Sequence, residues 1–269
     1  MLSYRDMPPL PLLSVVIPAR NEEGSILETL DGITSTLNRE QIPREIVVVD
    51  DSSSDATAAL ILGYGERDSS VRLVRNGGPN GFGMAIRAGL EAATGDFVAV
   101  MMADLSDSPE DLVRYYRVLR DSDYDCVFGS RFIRGSRIMN YPKHKLLMNR
   151  LANLFIRVLF ALRFNDITNA FKCYRREVIE AMYPIISPHF NLTVEMPLKA
   201  IVRGYTFQVI PISWTNRKHG FSKLKIKEMG SRYLFIVLYL WLEKFLSRGD
   251  YHRHVVKPQR EREFVNPNV

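Results

Sequence analysis

Along the first half of the chain, short β-branched runs alternate with segments whose apolar residues recur every three or four positions. Residues 12–18 (LLSVVIP) form one such run, closed by a proline, and residues 45–50 (EIVVVD) form another, ended by acids; both predict buried parallel strands. Between them Ile26, Leu30, Ile33 and Leu37 stand at helical spacing, which predicts a helix over 22–37. The cycle repeats as a helix over 55–65, a strand over 71–75, a helix over 81–93, a strand over 97–102, a helix over 109–120 and a strand over 125–129. Strands and helices that alternate in this way predict an α/β fold with a mostly parallel sheet covered by helices on both faces. In open sheets of this kind ligands bind outside the carboxyl ends of the strands, which directs attention to residues 18–23, 50–55 and 102–107.

The second half has a different pattern. Residues 145–164 (KLLMNRLANLFIRVLFALRF) predict a long helix in which Asn149, Arg150, Asn153, Arg157 and Arg163 form a narrow polar, basic stripe among Leu, Ile, Phe and Val. A helix lying in a membrane interface has this pattern, and so does a core helix with snorkelling arginines. Residues 191–202 predict another helix, which carries Glu195, and residues 233–246 (YLFIVLYLWLEKFL) are apolar on nearly every side. The chain therefore divides into an N-terminal tail over 1–12, one α/β domain over 13–227, and an apolar helix with a basic tail over 228–269 that packs on or extends that domain.

Composition fits one large folded domain: 269 residues, 46% hydrophobic and 25% charged, suffice for a substantial core. The longest clean apolar run, 234–242, is half the roughly 18 residues a membrane-spanning helix requires. The first residues are polar or proline, unlike a secretory signal, so the expected location is cytoplasmic. Cys126 and Cys173 lack CxxC spacing and a histidine pair, which predicts buried thiols and no zinc site. Charge is split: residues 1–130 carry a formal −10 and residues 131–269 a formal +16. A basic half suits an anionic partner, whether nucleic acid, a phosphate-bearing substrate or an anionic membrane surface. Nucleic acid is the least supported, because no interleaved aromatic motif accompanies the basic residues.

Three segments carry candidate chemistry. In Asp50-Asp51-Ser52-Ser53-Ser54-Asp55, Asp51 stands at a strand end where its carboxylate can accept from a base or ribose, while Asp55 can cap the following helix. Residues 77–83 (GGPNGFG) offer glycine backbone before a helix N-terminus, a place for phosphate, although the GxGxxG of a dinucleotide fold is missing after the first strand. In residues 101–110 (MMADLSDSPE) a buried strand runs into carboxylates. Asp104 is a candidate ligand for a hard divalent cation, and Asp107 serves better as a helix cap than as a second ligand.

The ordered set VVIPxxNE at 15–22, VVDDxSxDxT at 48–57, the 81–89 glycine stretch, ADLxDxPE at 103–110 and GSRF at 129–132 resembles family-2 glycosyltransferases of the GT-A fold. Further on, DITNAFK at 166–172 is similar to the DxTSGFR stretch of polyprenyl- and dolichyl-phosphate sugar transferases, and RKHGFSK at 217–223 matches their RxxGxSK segment. This resemblance implies a nucleotide-sugar pocket at Pro18, Asn21, Glu22, Asp51, Gly83 and Asp104, with Asp104 also holding Mg2+ or Mn2+. It also implies that Arg131, Arg217, Ser222 and Lys223 bind the acceptor phosphate, and that Asp104, Arg131, Arg217 and Lys223 act in catalysis. The family pattern is Asp-x-Asp followed two residues later by Gln; here those places hold Met102, Asp104 and Ser106, so one ligand carboxylate is missing.

The expected reaction is an inverting transfer of a hexose, from a donor of the GDP-mannose or UDP-glucose type to polyprenyl or dolichyl phosphate, by an enzyme held peripherally at the cytoplasmic face of the membrane. A glycan or glycolipid hydroxyl is the alternative acceptor. That chemistry would need a general base, for which Asp104, Asp107 and Glu195 are the candidates. A non-catalytic sugar-nucleotide binder is the third possibility, raised by Met102.

Overall fold

The structure, a computed structural model, describes residues 9–216 and 226–253, with the backbone alone for 226–229. The alternation read from the first half is present: β1 Leu13–Ala19, α1 Ile26–Arg39, β2 Arg44–Asp50, α2 Thr57–Gly65, β3 Val71–Arg75, α3 Phe82–Ala92, β4 Phe97–Val100, α4 Pro109–Asp121 and β5 Cys126–Ser130 follow in order. The second half adds β6 Arg137–Met139, α5 Lys143–Phe160, β7 Lys172–Arg175, α6 Arg176–Ala181, α7 Leu192–Val202, β8 Phe207–Pro211, β9 Ser213–Thr215 and α8 Ile226–Leu246.

Seven strands form one sheet in the order β3-β2-β1-β4-β7-β5-β8, and β6 pairs with β9 apart from it. Neighbours are parallel except at β7, which enters antiparallel between β4 and β5. Successive residues of a strand face opposite sides of the sheet, and the core divides accordingly. Val15 and Ile17 point into a core shared with Ile26, Leu30, Leu112, Tyr115 and Tyr116. Val16, Cys126 and Phe128 point into a second core with Ile86, Ile156, Phe160, Val194 and Leu198. The buried side of α8, through Ile236, Val237 and Leu240, completes this second core, so the C-terminal helix is built into the domain.

Several boundaries move for local reasons. The helix predicted from residue 22 begins at Ile26: Asn21 adopts a left-handed φ of 52°, and the amides of Glu22 and Glu23 go to Thr57 Oγ1 and Asp55 Oδ2 in the neighbouring loop. The long basic helix ends at Phe160 instead of residue 164, because Ala161 turns into the left-handed region and Leu162 N–H donates back to Arg157 O. Cys126 and Cys173 are both buried free thiols. Asp55 is not itself the cap of α2: Ala56 takes the N-cap place, and Asp55 stands one residue before it, its Oδ1 accepting from the Thr57 N–H and hydroxyl at 3.0 and 2.5 Å.

Candidate active site

Register places the carboxyl ends of β1, β2 and β4 at one edge: Ala19 stands opposite Asp50, and Val16 opposite Val100. The chain leaves each strand through a left-handed residue that is not glycine, namely Asn21 (φ 52°), Ser52 (φ 58°) and Leu105 (φ 61°). Such backbone costs on the order of 1–3 kcal/mol per residue, and it clusters at sites where neighbours over-determine the conformation. Here the neighbours are identifiable. Asn21 N–H donates to Ser53 Oγ, its Oδ1 accepts from Ser54 N–H at 2.8 Å, and Asp51 N–H donates to Ala19 O.

These loops open on a cavity of about 360 Å³. Pro18, Arg20, Glu22 and Asp51 form its first wall, Met102, Asp104, Ser106 and Asp107 its second, and Arg131, Tyr141, Lys145 and Asn149 its third. Thr168, Asn169, Ala170, Phe190, Thr193, Trp214, Asn216 and Tyr233 close the remaining sides. The residues expected from the sequence thus meet at one site where they are described, with exceptions. Asn21 does not line the cavity but ties two of its loops together. Gly83 stands off it: its N–H donates to Pro188 O, and a Cβ there would lie 2.2 Å from Ser187 O. That close approach, rather than a phosphate, is what demands glycine at 83. Arg217, Ser222 and Lys223 lie outside the described residues.

Asp51 spends its carboxylate within the protein. It accepts from the Gly81 N–H at 3.0–3.1 Å and from Asn76 Nδ2 at 2.8 Å, which fixes the glycine-rich loop against the cavity. The Glu195 carboxylate, a candidate base in the sequence, is fully buried on α7 instead. It pairs with Lys199 at 2.8 Å and accepts from the Ile186 and Ser187 amides, so it holds a loop and faces no substrate.

Asp107 is not the helix cap that its position suggested. Ser108 occupies the N-cap place of α4, while Asp107 Oδ2 turns back to accept from the Met102 N–H at 3.1 Å. An isolated bridge between Asp107 and Trp214 fixes this backbone. Burial, and next the charge of Asp104, push the Asp107 carboxyl up to about 7. Asp104 is equally buried and accepts from the Ser106 N–H at 3.2 Å.

Across the cavity Arg131 is buried in a bidentate pair with Asp166, Nε to Oδ2 at 2.8 Å and Nη2 to Oδ1 at 2.7 Å. Burial opposes its charge, but the Asp166 carboxylate outweighs this and holds the guanidinium above its ordinary pKa. Its plane lies near the rings of Phe132, Tyr141 and Trp214. Behind it Lys172 donates to Ile167 O, Asn169 O and Thr193 O, pinning the 166–170 loop to α7; burial lowers its pKa to about 7.

Sequence reasoning missed Lys145 and Asn149. One turn apart on α5, both line the cavity, and Lys145 has no ion-pair partner among the described residues. The signal available was their place in the basic stripe; which of its members faced a ligand depended on how α5 packs. On the same helix Leu147, Met148, Leu151, Leu154, Phe155 and Val158 are exposed, and on α8 so are Leu234, Phe235, Leu238, Leu242, Phe245 and Leu246. Among the described residues no helix is long and apolar enough to cross a membrane.

Comparison with known proteins places this geometry. The family model described as glycosyl transferase family 2 matches residues 14–182. A polyprenol monophosphomannose synthase of Mycolicibacterium smegmatis is 32% identical over 217 residues, 78% of this chain and 80% of the relative. An undecaprenyl-phosphate mannosyltransferase of Micrococcus luteus is 30% identical over 216 residues, 78% of this chain and 86% of that protein. Among solved structures, glucosyl-3-phosphoglycerate synthase from Mycobacterium tuberculosis in complex with UDP superposes with a TM-score of 0.64 at 20% identity, covering 87% of this chain and 80% of that one. A structure of the same synthase with Mn2+, UDP and phosphoglyceric acid gives 0.65 at 20% identity, covering 87% and 78%. The folds therefore agree as a GT-A-type α/β sheet.

Proposed function

Because the chain belongs to glycosyl transferase family 2, a family of sugar-transferring enzymes, we propose that it moves a hexose from a nucleoside diphosphate donor to the phosphate of a polyprenyl lipid. The observation that carries the acceptor is the position of Lys145. This cation, without an ion-pair partner among the described residues, lines the cavity from α5, and the exposed apolar side chains of α5 begin within two residues of it. A phosphate bound there would have its hydrocarbon tail beside the apolar surfaces of α5 and α8. One relative named above is by name a synthase of polyprenol monophosphomannose and the other an undecaprenyl-phosphate mannosyltransferase, which supports the same choice.

The donor would lie along the first two walls, with base and ribose near Pro18, Glu22 and Asp51 and the diphosphate toward Asp104. A divalent cation fits this end of the cavity. Mg2+ and Mn2+ prefer hard carboxylate oxygens and often take one or two carboxylates plus phosphate oxygens and water. Asp104 and Asp107 are two such carboxylates, and no group of three or more acidic, His or Cys ligands occurs among the described residues. When bound, the cation would stabilise charge on the departing diphosphate.

An acceptor phosphate oxygen is already anionic near neutral pH, so it can attack the anomeric carbon without a strong base, from the face opposite the leaving nucleoside diphosphate. Lys145 and Asn149 would hold that phosphate. Arg131, already paired with Asp166, contributes a fixed positive field and an ordered wall. The resemblance read from the sequence assigns Arg217, Ser222 and Lys223, which lie outside the described residues, to the same phosphate. A hydroxyl acceptor is the second reading. With Glu195 locked in its ion pair, Asp107 is the carboxyl whose pKa near 7 suits a base.

The test is transfer from labelled GDP-mannose or UDP-glucose to polyprenyl phosphate in the presence of Mg2+ or Mn2+. Organic-extractable label is the expected product, and label found only on a glycan hydroxyl defeats the lipid-phosphate acceptor. Lys145→Ala removes a charged hydrogen-bond donor and should raise KM for the lipid phosphate by about tenfold or more, with the donor KM little changed.

A further inference from the structure

A second cavity, of about 140 Å³, opens along α5 and shares no lining residue with the first. Arg150, Leu151, Asn153, Leu154, Arg157 and Asn165 line it. Its two asparagines are committed to the protein. Asn153 Nδ2 donates to Asn149 O and Thr168 Oγ1, and its Oδ1 accepts from the Thr168 N–H. Asn165 Oδ1 accepts from Ser130 Oγ, while its Nδ2 donates to Phe132 O. The two guanidiniums are left to meet a ligand. Neither has an ion-pair partner among the described residues: Arg150 lies over the Phe132 ring at 4.7 Å, and Arg157 Nε reaches Leu162 O at 3.5 Å. Each guanidinium carries five N–H donors, so most of this donor capacity is unspent.

The arginines are seven residues apart, about two helical turns, and so stand on one line of the helix surface. On one side of that line Asn153, Ile156 and Phe160 are buried; on the other Leu147, Leu151, Leu154 and Val158 are exposed. The cavity therefore joins two unpaired cations to the edge of an apolar strip. A free anion would satisfy the cations and leave the strip in water, whereas a phosphate that carries hydrocarbon matches both. The planar guanidinium also suits phosphate, whose oxygens it can engage two at a time.

We propose that this notch binds the phosphate of an anionic membrane phospholipid, held by Arg150 and Arg157, with the acyl chains along Leu147, Leu151, Leu154 and Val158. The site is separate from the sugar-transfer cavity, and its occupant is a lipid of the surrounding bilayer, whatever the acceptor.

The test is binding of the full chain to vesicles of phosphatidylcholine, with and without phosphatidylglycerol, in salt high enough to screen diffuse attraction and with neither sugar donor nor polyprenyl phosphate present. Wild-type protein is expected to bind the phosphatidylglycerol vesicles more tightly. Arg150→Gln/Arg157→Gln should weaken that binding at least about tenfold, because each substitution removes charge-assisted hydrogen bonds. Lys143→Gln/Arg163→Gln removes the same charge from the two ends of the α5 segment outside the notch, and should weaken binding by about threefold or less. Equal losses in the two double variants overturn the inference, since the charges would then act only as a diffuse field. Wild-type protein that binds both kinds of vesicle equally overturns it too. A competition that needs no variant separates lipid from free anion: soluble short-chain phosphatidylglycerol is expected to displace the wild-type protein from the vesicles, and inorganic phosphate at the same concentration and ionic strength is not. Equal displacement by the two assigns the notch to a free anion and overturns the phospholipid. Because no sugar is transferred in these measurements, their failure leaves the proposed reaction untouched, and failure of that reaction leaves the notch standing.

Discussion

Burial of the Asp107 carboxyl beside Asp104 makes its proton part of the folded state in the metal-free protein. Its pKa rises from an ordinary 3.8 to about 7 on folding. Between those values the folded chain binds a proton that the unfolded chain has lost, so this group's contribution to stability falls as pH rises through the window and is flat above it. Asp107→Asn should therefore flatten the fall in Tm between pH 4 and 7 when measured by calorimetry in chelator. An unchanged pH profile would mean that Asp107 is not buried with a raised pKa. At this scale the sequence was informative about residue type but not about direction. Asp104 and Asp51 were legible because they end buried strands. Asp107 was assigned to a helix cap because a side chain that bends back across five residues leaves no periodic trace. Gly83 looked like a phosphate loop because a glycine required by the Ser187 carbonyl reads the same, in one dimension, as a glycine required by a ligand.

Helix α7 shows how one element can be functional in appearance and structural in fact. Glu195 and Lys199 stand four residues apart on its fully buried face, and both reach out to the preceding segment: Glu195 accepts from Ile186 and Ser187, and Lys199 donates to Met182 O and Pro184 O. Breaking such a pair leaves a buried charge uncompensated, which costs roughly 3–5 kcal/mol. Glu195→Gln is expected to lower the urea midpoint by a corresponding amount, and the double variant Glu195→Gln/Lys199→Met should recover part of it. Equal destabilisation by the single and double variants would show that the lost amide contacts, not the unpaired charge, set the cost. The spacing placed α7 correctly, and the alternation placed every element from β1 to β5. The short strands β6 to β9 escaped notice: at three to five residues they are too short for a period to register, and β7 runs against the direction that strand–helix alternation implies.

Among the described residues the exposed large apolar side chains are concentrated on α5 and α8, and the same two helices with their C-terminal turns carry Lys143, Arg150, Arg163, Lys244 and Arg248. An apolar face rimmed by cations suits an anionic lipid surface, which both receives the side chains and attracts the charge. The protein is expected to float with anionic vesicles at low salt and less at high salt, because screening weakens the electrostatic part. Replacing Leu151, Phe155, Phe235 and Phe245 by serine should abolish flotation with little loss of Tm, since these side chains are exposed in the fold. Wild-type protein that stays at the bottom of the gradient would remove the membrane surface from the proposed function.

The sequence by itself determined the strand-and-helix alternation, the edge of the sheet where ligands gather, and the acids and arginine that stand there. It did so because hydrophobic period and strand ends are properties of neighbouring residues. Tertiary structure alone decided which carboxylate faces the cavity and which is spent on a loop, and it paired Arg131 with Asp166 and brought Lys145 to the cavity wall. It also turned Asp107 back toward Met102. Each of these depends on contacts between segments distant in the chain or on a backbone turn, and no local pattern encodes them.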